Sequence, residues 1–141
     1  HAQTGAVMAF RVLDKMGMPP ADVAAVITAI GHHDDPTAYP VNAVAAALIL
    51  ADKTDVRRSR VRNKDVTSFD IHDRVNYAVE ESVTRLDRTA GTFTLTLTIN
   101  TQVCPVMDYF EIFLQRMLLC RKAAEFFQLA FRLDINGQNL L

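Results

Sequence analysis

Side chains that can bind metal ions follow an apolar segment early in the chain, and they are His32, His33, Asp34 and Asp35. A second apolar run, residues 44–50, ends just before another carboxylate, Asp52. Imidazole and carboxylate groups together are typical ligands of Zn, Mn and Fe(II). Two helices can bring such groups together even when they are distant in the chain. The pattern therefore predicts a divalent metal site that includes His33 and Asp52.

Three short segments resemble the later part of the HD-domain metal-dependent phosphohydrolases: HAQTGAVMAFRVLDKMG, VITAIGHHDD and LILADKTDVRRSR. In that superfamily a helix carries a His, a second His or a His pair follows an Ala-Ile run, and an Ala-Asp-Lys helix supplies the last ligand. The resemblance covers roughly residues 1–60. It implies four metal ligands, with His33 and Asp52 as the catalytic pair, and the four are His1, His32, His33 and Asp52.

Other charged residues near these ligands have expected supporting roles. Asp34 and Asp55 are expected to orient the ligands without binding the ion. Five cations follow within a few positions, namely Arg57, Arg58, Arg60, Arg62 and Lys64. A guanidinium group beside a metal site can bind phosphate bidentately, and Arg58 is the candidate. The alternative is that this run is solvated or compensates the negative end of a helix.

The His-Asp dipeptide that gives the superfamily its name normally precedes the segments seen here. We therefore expect the later part of an HD domain, without its first helices. The alternative is that His33-Asp34 is that dipeptide, with Asp52 as the terminal ligand. In a fragment of this kind the helices would show apolar surface to water, and burying such surface favours self-association. A homodimer is the expected assembly.

The periodicity of apolar residues predicts an α+β protein. Helices are expected at residues 3–16, 20–30 and 42–58, followed by a short helix capped by Asp70. Residues 82–87 and 92–99 alternate as a hairpin, Pro105 begins a long helix, and residues 131–135 alternate again. These elements predict a helical HD-type domain at 1–80. They also predict a C-terminal unit at 81–141, in which the long helix backs a three-stranded antiparallel sheet.

The position of Asp52 on its helix bears on its role. Val44, Leu48 and Ile49 share a helical face with Asp52, which places the carboxylate on the apolar side. A carboxylate there is costly unless it is paired or bound to a cation. A metal ion is the first interpretation, and a salt bridge to an internal Lys or Arg is the alternative.

Composition excludes several classes of protein. A net charge of −1 at pH 7 is unlike that of a general DNA-binding protein. No apolar run reaches the ~18 residues of a membrane span, and no signal-peptide pattern opens the chain. Cys104 and Cys120 lack metal-ligand spacing, and we expect two reduced thiols in a cytoplasmic protein.

Two functions are compatible with these observations. The first is a metal-dependent phosphohydrolase that uses a divalent ion (Mn, Fe or Zn, with Mg as a further candidate). Its substrate would be a small phosphate mono- or diester, with a nucleotide as one candidate. The alternative is a dimeric, non-catalytic metal-binding or regulatory interaction module.

Overall fold

The computed structural model describes residues 1–34 and 37–141. The α-helices of this part of the chain are α1 (Ala2–Lys15), α2 (Pro20–Gly31), α3 (Ala43–Lys53), α4 (Ile71–Ala78) and α5 (Val106–Phe126). The strands are β1 (Val79–Asp87), β2 (Thr92–Ile99), β3 (Ala130–Ile135) and β4 (Gln138–Asn139). The predicted α+β class is confirmed. Asp35, one of the predicted metal-competent residues, lies outside the described residues.

Helix starts follow the local chemistry of the sequence. The side chain of Asn42 accepts a hydrogen bond of 2.8 Å from the backbone N–H of Ala45, and Asp70 does the same for Asp73 at 2.8 Å. Such caps satisfy N–H groups that have no partner within the helix. The predicted starts of α3 and α4 are therefore confirmed.

The predicted end of α3 near Arg58 is wrong. The helix ends at Lys53, where the hydroxyl of Thr54 donates a 2.6 Å hydrogen bond to the carbonyl of Leu50. The chain then turns inward, because Val56 is fully buried. The arginine run consequently forms a short 3₁₀ turn at Arg58–Arg60 and does not extend the helix.

The predicted three-stranded antiparallel sheet is also wrong. The sheet has four strands in the order β1-β2-β3-β4 and is mixed. β1 and β2 form the expected antiparallel hairpin, but β3 runs parallel to β2, and β4 is a short antiparallel addition.

The helix between β2 and β3 explains this direction. At 1.5 Å per residue, the 21 residues of α5 span about 31 Å and return the chain to the beginning of β2. Ala130 there pairs with Thr92, so β3 repeats the direction of β2. Parallel neighbours need such a crossover, whereas antiparallel neighbours need only a turn. The Asn136-Gly137 turn then adds β4.

The main hydrophobic core crosses the predicted boundary near residue 80. It joins the buried faces of α3, α4 and α5 to one face of the sheet, and its largest members include Ile49, Tyr109, Phe113, Leu95 and Leu133. Helix α1 packs mainly on α2 and leaves several apolar side chains exposed, namely Val7, Met8, Phe10 and Val12, and Met16 directly after the helix is exposed as well. None of the described helices has the length and apolarity needed to cross a membrane.

Candidate functional site

Close packing between α1 and α2 brings two distant histidines together. At Gly5 an added Cβ would lie 3.3 Å from the side chain of Ile30, so the helices approach closely at this glycine. The Gln3 amide donates a 2.9 Å hydrogen bond to the carbonyl of Gly31. These contacts hold the start of α1 against the end of α2. As a result, the Nε2 atoms of His1 and His33 lie 3.2 Å apart.

Hydrogen bonds to the backbone set the tautomers of the histidine pair after α2. Nδ1 of His33 lies 2.6 Å from the carbonyl of Ile30, and Nδ1 of His32 lies 2.8 Å from the carbonyl of Thr28. A carbonyl only accepts, so both Nδ1 atoms carry the proton and both Nε2 atoms keep a lone pair in the neutral ring. Metal-binding histidines commonly have this arrangement.

The spacing of His1 and His33 suits two ligands of one ion. Zn–N bonds are about 2.0–2.1 Å, and at a tetrahedral angle two such nitrogens are about 3.3 Å apart. The observed separation of 3.2 Å is close to that value. The spacing is compatible with a shared ion, and equally with an N–H···N hydrogen bond in which Nε2 of His1 donates to the unprotonated Nε2 of His33.

Lys53 separates the predicted carboxylate ligand from this pair. Its side chain is only 2% exposed, its ammonium contacts the carboxylate of Asp34, and it lies 2.9 Å from Oδ2 of Asp52. Nδ1 of His1 in turn lies 3.6 Å from Oδ2 of Asp34. These side chains thus form a chain of contacts, in the order His33, His1, Asp34, Lys53 and Asp52.

The orientation of α3 differs from the prediction. Its buried face carries Ala46, Ile49, Leu50 and Lys53, whereas Asp52 is 34% exposed at the edge and Val44 is exposed. The alanines let α3 pack closely along positions 46, 49, 50 and 53, so the lysine turns inward. A buried ammonium needs opposite charge, which Asp34 and Asp52 supply. The alternative interpretation of Asp52, a salt bridge to an internal lysine, is the one observed.

A complete metal site is not assembled within residues 1–34 and 37–141, because no group of three or more His, Cys, Asp or Glu side chains there could hold an ion. His1 and His33 are brought together, and Asp52 is joined to them only through Lys53 and Asp34. The ring of His32 is oriented by α2 in the same way as that of His33, but within the described residues it forms no hydrogen bond with His1, His33 or Asp52. His72, which is followed by an aspartate as His33 is, lies exposed on α4.

The basic segment after α3 makes specific contacts. Asp55 accepts a 2.8 Å hydrogen bond from Nη1 of Arg60 and forms an ion pair with Nε of Arg57, also at 2.8 Å. Arg58 donates through Nε to the carbonyl of Tyr77 at 2.7 Å and lies over the Tyr77 ring, 4.5 Å from its centroid. Asp55 therefore orients arginines, and Arg58 braces the end of α4.

Two neighbouring cavities lie between α3 and the hairpin. The smaller, about 450 Å³, is lined by Asp52, Asp55 and Arg57 together with Leu48, Ala51, Thr54, Ser82 and Thr84. The larger, about 910 Å³, is predominantly apolar. Neither cavity was predicted from the sequence, nor was the buried, paired position of Lys53, and Arg57 was named only as one of five cations. The Ala-Asp-Lys segment could have indicated a role for Lys53, because the lysine directly follows the predicted ligand Asp52 in the sequence.

Neither a model of a known protein family, nor a curated protein, nor a solved structure matches this chain.

Proposed function

We propose that this chain is part of a metal-dependent phosphohydrolase of the HD-domain type, acting on a small phosphate mono- or diester. The observation that carries the proposal is the His1–His33 pair, with Nε2 atoms 3.2 Å apart and His33 oriented by a backbone carbonyl.

The proposed ligands are His1, His32, His33 and Asp52, as the resemblance implies, with Mn, Fe, Zn or Mg as the ion. A divalent ion held there would polarise phosphoryl oxygens and acidify a water molecule. The superfamily resemblance assigns the remaining ligands to a His-Asp dipeptide that would precede His1 in a longer protein.

Other residues support the site through charge. Asp34 lies beside His1 and favours its orientation, while the single ammonium of Lys53 is shared by the carboxylates of Asp34 and Asp52. Arg57 lines the cavity next to Asp52; its Nε pairs with Asp55, and its terminal nitrogens can bind a phosphate group. Arg58, the residue favoured from the sequence, stays a candidate for the same role, although its Nε is already bonded to Tyr77.

Hydrolysis assays of the intact protein test the proposal. p-Nitrophenyl phosphate and bis(p-nitrophenyl) phosphate, each with Mn²⁺, Fe²⁺, Zn²⁺ or Mg²⁺, cover monoesters and diesters. We expect metal-dependent turnover that His33→Ala and Asp52→Ala abolish and that the exposed control His72→Ala preserves. Equal activity in all four proteins would refute the proposal.

A second candidate function, a non-catalytic regulatory module, is favoured by Lys53. Its ammonium already supplies positive charge to Asp34 and Asp52, so this region is held together without a metal ion. Absence of turnover under every metal, together with a folded protein, would support this candidate.

We further propose that the protein forms a homodimer through the outer edge of β1. In the described residues β1 ends the strand order, so one edge of this nine-residue strand has no strand beside it. A twofold axis through Val83 would pair Glu81 of one copy with Arg85 of the other, twice. Exposed strand edges readily pair with another chain, and opposite charges across strands are favourable.

A cytoplasmic location is also proposed. Cys104 and Cys120 are both free and buried, which is usual where thiols stay reduced.

A further inference from the structure

The larger cavity, of about 910 Å³, lies between α3, the β1–β2 hairpin and the end of α5. Its wall is formed mainly by apolar side chains, namely Ala47, Leu50, Ala51, Leu86, Phe93 and Leu129. Its volume is within the ~300–1,000 Å³ that small-molecule sites usually have.

The cavity exists because the helices do not cover the sheet as far as β1. Leu86 pairs with Phe93 across the hairpin, and Thr84 pairs with Leu95, so these residues share the core face of the sheet. Leu95 is fully buried, whereas Leu86 is 49% exposed. Apolar surface on the inner side of the sheet is thus left open at its edge strand.

This cavity adjoins the one that contains Asp52 and Arg57. Both are lined by Ala51, Thr54 and Thr84, so a ligand can extend from one into the other. The smaller cavity carries charge from Asp52, Asp55 and Arg57, and the larger one is mostly apolar. Lys53 already pairs with Asp52, and Arg60 already pairs with Asp55. Arg57 is therefore the lining group of the smaller cavity that can meet an anionic head, while the larger cavity takes an apolar body.

The polar groups of the larger cavity are few. The Thr54 hydroxyl is already used, because it donates to the carbonyl of Leu50. Thr84, Arg88 and Gln128 remain at the lining, beside seven apolar side chains that include Phe127. A nucleobase buries donors and acceptors that need partners, whereas an alkyl chain needs none. The lining therefore favours an aliphatic group.

We propose that the substrates are phosphate esters of aliphatic alcohols, with the phosphate beside Arg57 and the alkyl chain in the larger cavity. This inference rests on the proposed phosphohydrolase function for its reacting end. The alkyl site can be measured separately, by binding without turnover.

Isothermal titration calorimetry with inorganic phosphate and with ethyl, butyl and hexyl phosphate, in the absence of divalent ions, tests the alkyl site. Burying one methylene group strengthens binding about fourfold. We expect the dissociation constant to fall about fourfold for each added methylene. A constant affinity across the series, or tighter binding of a nucleoside monophosphate than of hexyl phosphate, would overturn the inference.

Variants of the protein then show where the alkyl chain of the ligand binds. Ala47 lines only the larger cavity, and Ala47→Phe should flatten the dependence on chain length. Ala43→Phe, on the same helix but outside the cavity lining, should preserve it. Leu86→Thr should weaken the binding of hexyl phosphate, because it replaces an apolar lining residue by a polar one that is still compatible with a β-strand. It replaces Ala47→Phe as the test if that variant does not fold. Phe10→Ser, on the exposed face of α1, controls for alkyl chains that bind to that face. If this variant loses the dependence of affinity on chain length, the alkyl chain binds to α1 and the proposed site in the cavity is wrong.

The two proposals fail in different ways. Chain-length-dependent binding without hydrolysis under any metal would leave the alkyl site standing and refute the phosphohydrolase. Metal-dependent hydrolysis with no preference for alkyl chain length, in binding or in kcat/KM, would support the phosphohydrolase and refute the alkyl site.

Discussion

The ammonium of Lys53 lies 2.9 Å from Oδ2 of Asp52, its neighbour in the chain, although the two residues lie on different faces of α3. The lysine stem passes through the core while its charged end reaches the carboxylates at the edge. Positive charge is therefore built into the region where the sequence predicts a metal ion. Any ion bound by Asp52 must share that carboxylate with Lys53 or displace it.

Replacing Lys53 by methionine should destabilise the protein by about 2 kcal/mol. The change keeps the length of the stem but removes the ammonium shared by Asp34 and Asp52, and losing one partner of a buried pair costs ~3–5 kcal/mol. The smaller figure allows for the partial exposure of both carboxylates, 27% and 34%. Urea unfolding measures the loss.

Lys122→Met, an exposed change on α5, is the control for Lys53→Met, and its stability should stay within about 0.5 kcal/mol of wild type. Mn²⁺ should stabilise Lys53→Met more than wild type, because the ion can take the place of the ammonium. Equal stability of wild type and Lys53→Met without metal would show that the lysine is not needed as a counter-charge.

His33→Ala should weaken the binding of Zn²⁺ at least tenfold. The variant removes one of two imidazole nitrogens that are 3.2 Å apart, and each ligand contributes strongly to affinity. Equilibrium dialysis with metal analysis gives the stoichiometry and the dissociation constant. His72→Ala is the control, since its side chain is exposed on α4. Unchanged binding in His33→Ala would remove this residue from the proposed ligands.

The sequence predicts local structure well where a single side chain determines it. Asn42 and Asp70 cap helices as expected, and the alternation from Thr92 to Ile99 forms a strand with its large apolar residues inward. Capping and alternation depend on neighbours within a few positions, so they can be recognised without the rest of the fold. The His1–His33 contact was expected only through the family resemblance.

Direction and rotation could not be predicted in the same way. The alternation of apolar and polar residues at 130–135 identifies a strand, but this pattern does not depend on the direction of the strand. The parallel pairing of β3 with β2 was therefore not predicted. In α3 two helical stripes are both apolar, one ending at Asp52 and the other at Lys53. Packing against α5 selects the second stripe, which is a tertiary effect.

Arg57→Ala should raise the KM for p-nitrophenyl phosphate more than Arg58→Ala does. Arg57 lines the cavity beside Asp52, whereas Arg58 bonds to Tyr77 and lies over its ring. Losing a guanidinium–phosphate contact costs about 1.5–3 kcal/mol, or roughly tenfold to a hundredfold in KM. Steady-state kinetics with thermal unfolding separates binding from stability. A larger KM effect in Arg58→Ala would restore the sequence-based choice.

Stability should fall as the pH rises above 9, in part through Cys120. Burial raises the pKa of this thiol from 9.0 to about 12, against the opposing effect of Lys53. Between those values the folded state keeps a proton that the unfolded state releases, so raising the pH favours unfolding. The protonated thiol contributes its full stabilisation below pH 9, and this stabilisation is lost as the pH rises towards 12. The free energy of unfolding falls by at most about 1.4 kcal/mol per pH unit through this group.

Urea unfolding at pH 8 and pH 10 measures the contribution of Cys120. Wild type should lose about 1 kcal/mol more than Cys120→Ala over this interval. Cys104, whose pKa is raised to about 11 by burial, is present in both proteins, so the difference isolates Cys120. Identical losses would mean that the thiol ionises as easily in the folded state as in the unfolded chain.

Reversing the charge of Glu81 should weaken the proposed homodimer. Across a twofold axis at Val83, Glu81→Arg would face Arg85 of the second copy in both symmetry-related pairs. Arg85 is 79% exposed, so its guanidinium is accessible to a second chain. Replacing attraction by repulsion at two cross-strand pairs costs about 1–2 kcal/mol, which weakens association roughly tenfold. Sedimentation velocity over a range of protein concentrations measures the change.

The double variant Glu81→Arg/Arg85→Glu gives the decisive comparison for this interface. It restores opposite charges across the axis, so its dimer should regain most of the wild-type affinity, whereas either single change should not. Glu111→Arg, an exposed reversal on α5, is the control for altered net charge and should leave association unchanged. If the double variant is as weak as the single ones, the β1 edge is not the contact, and the exposed apolar face of α1 becomes the surface to test.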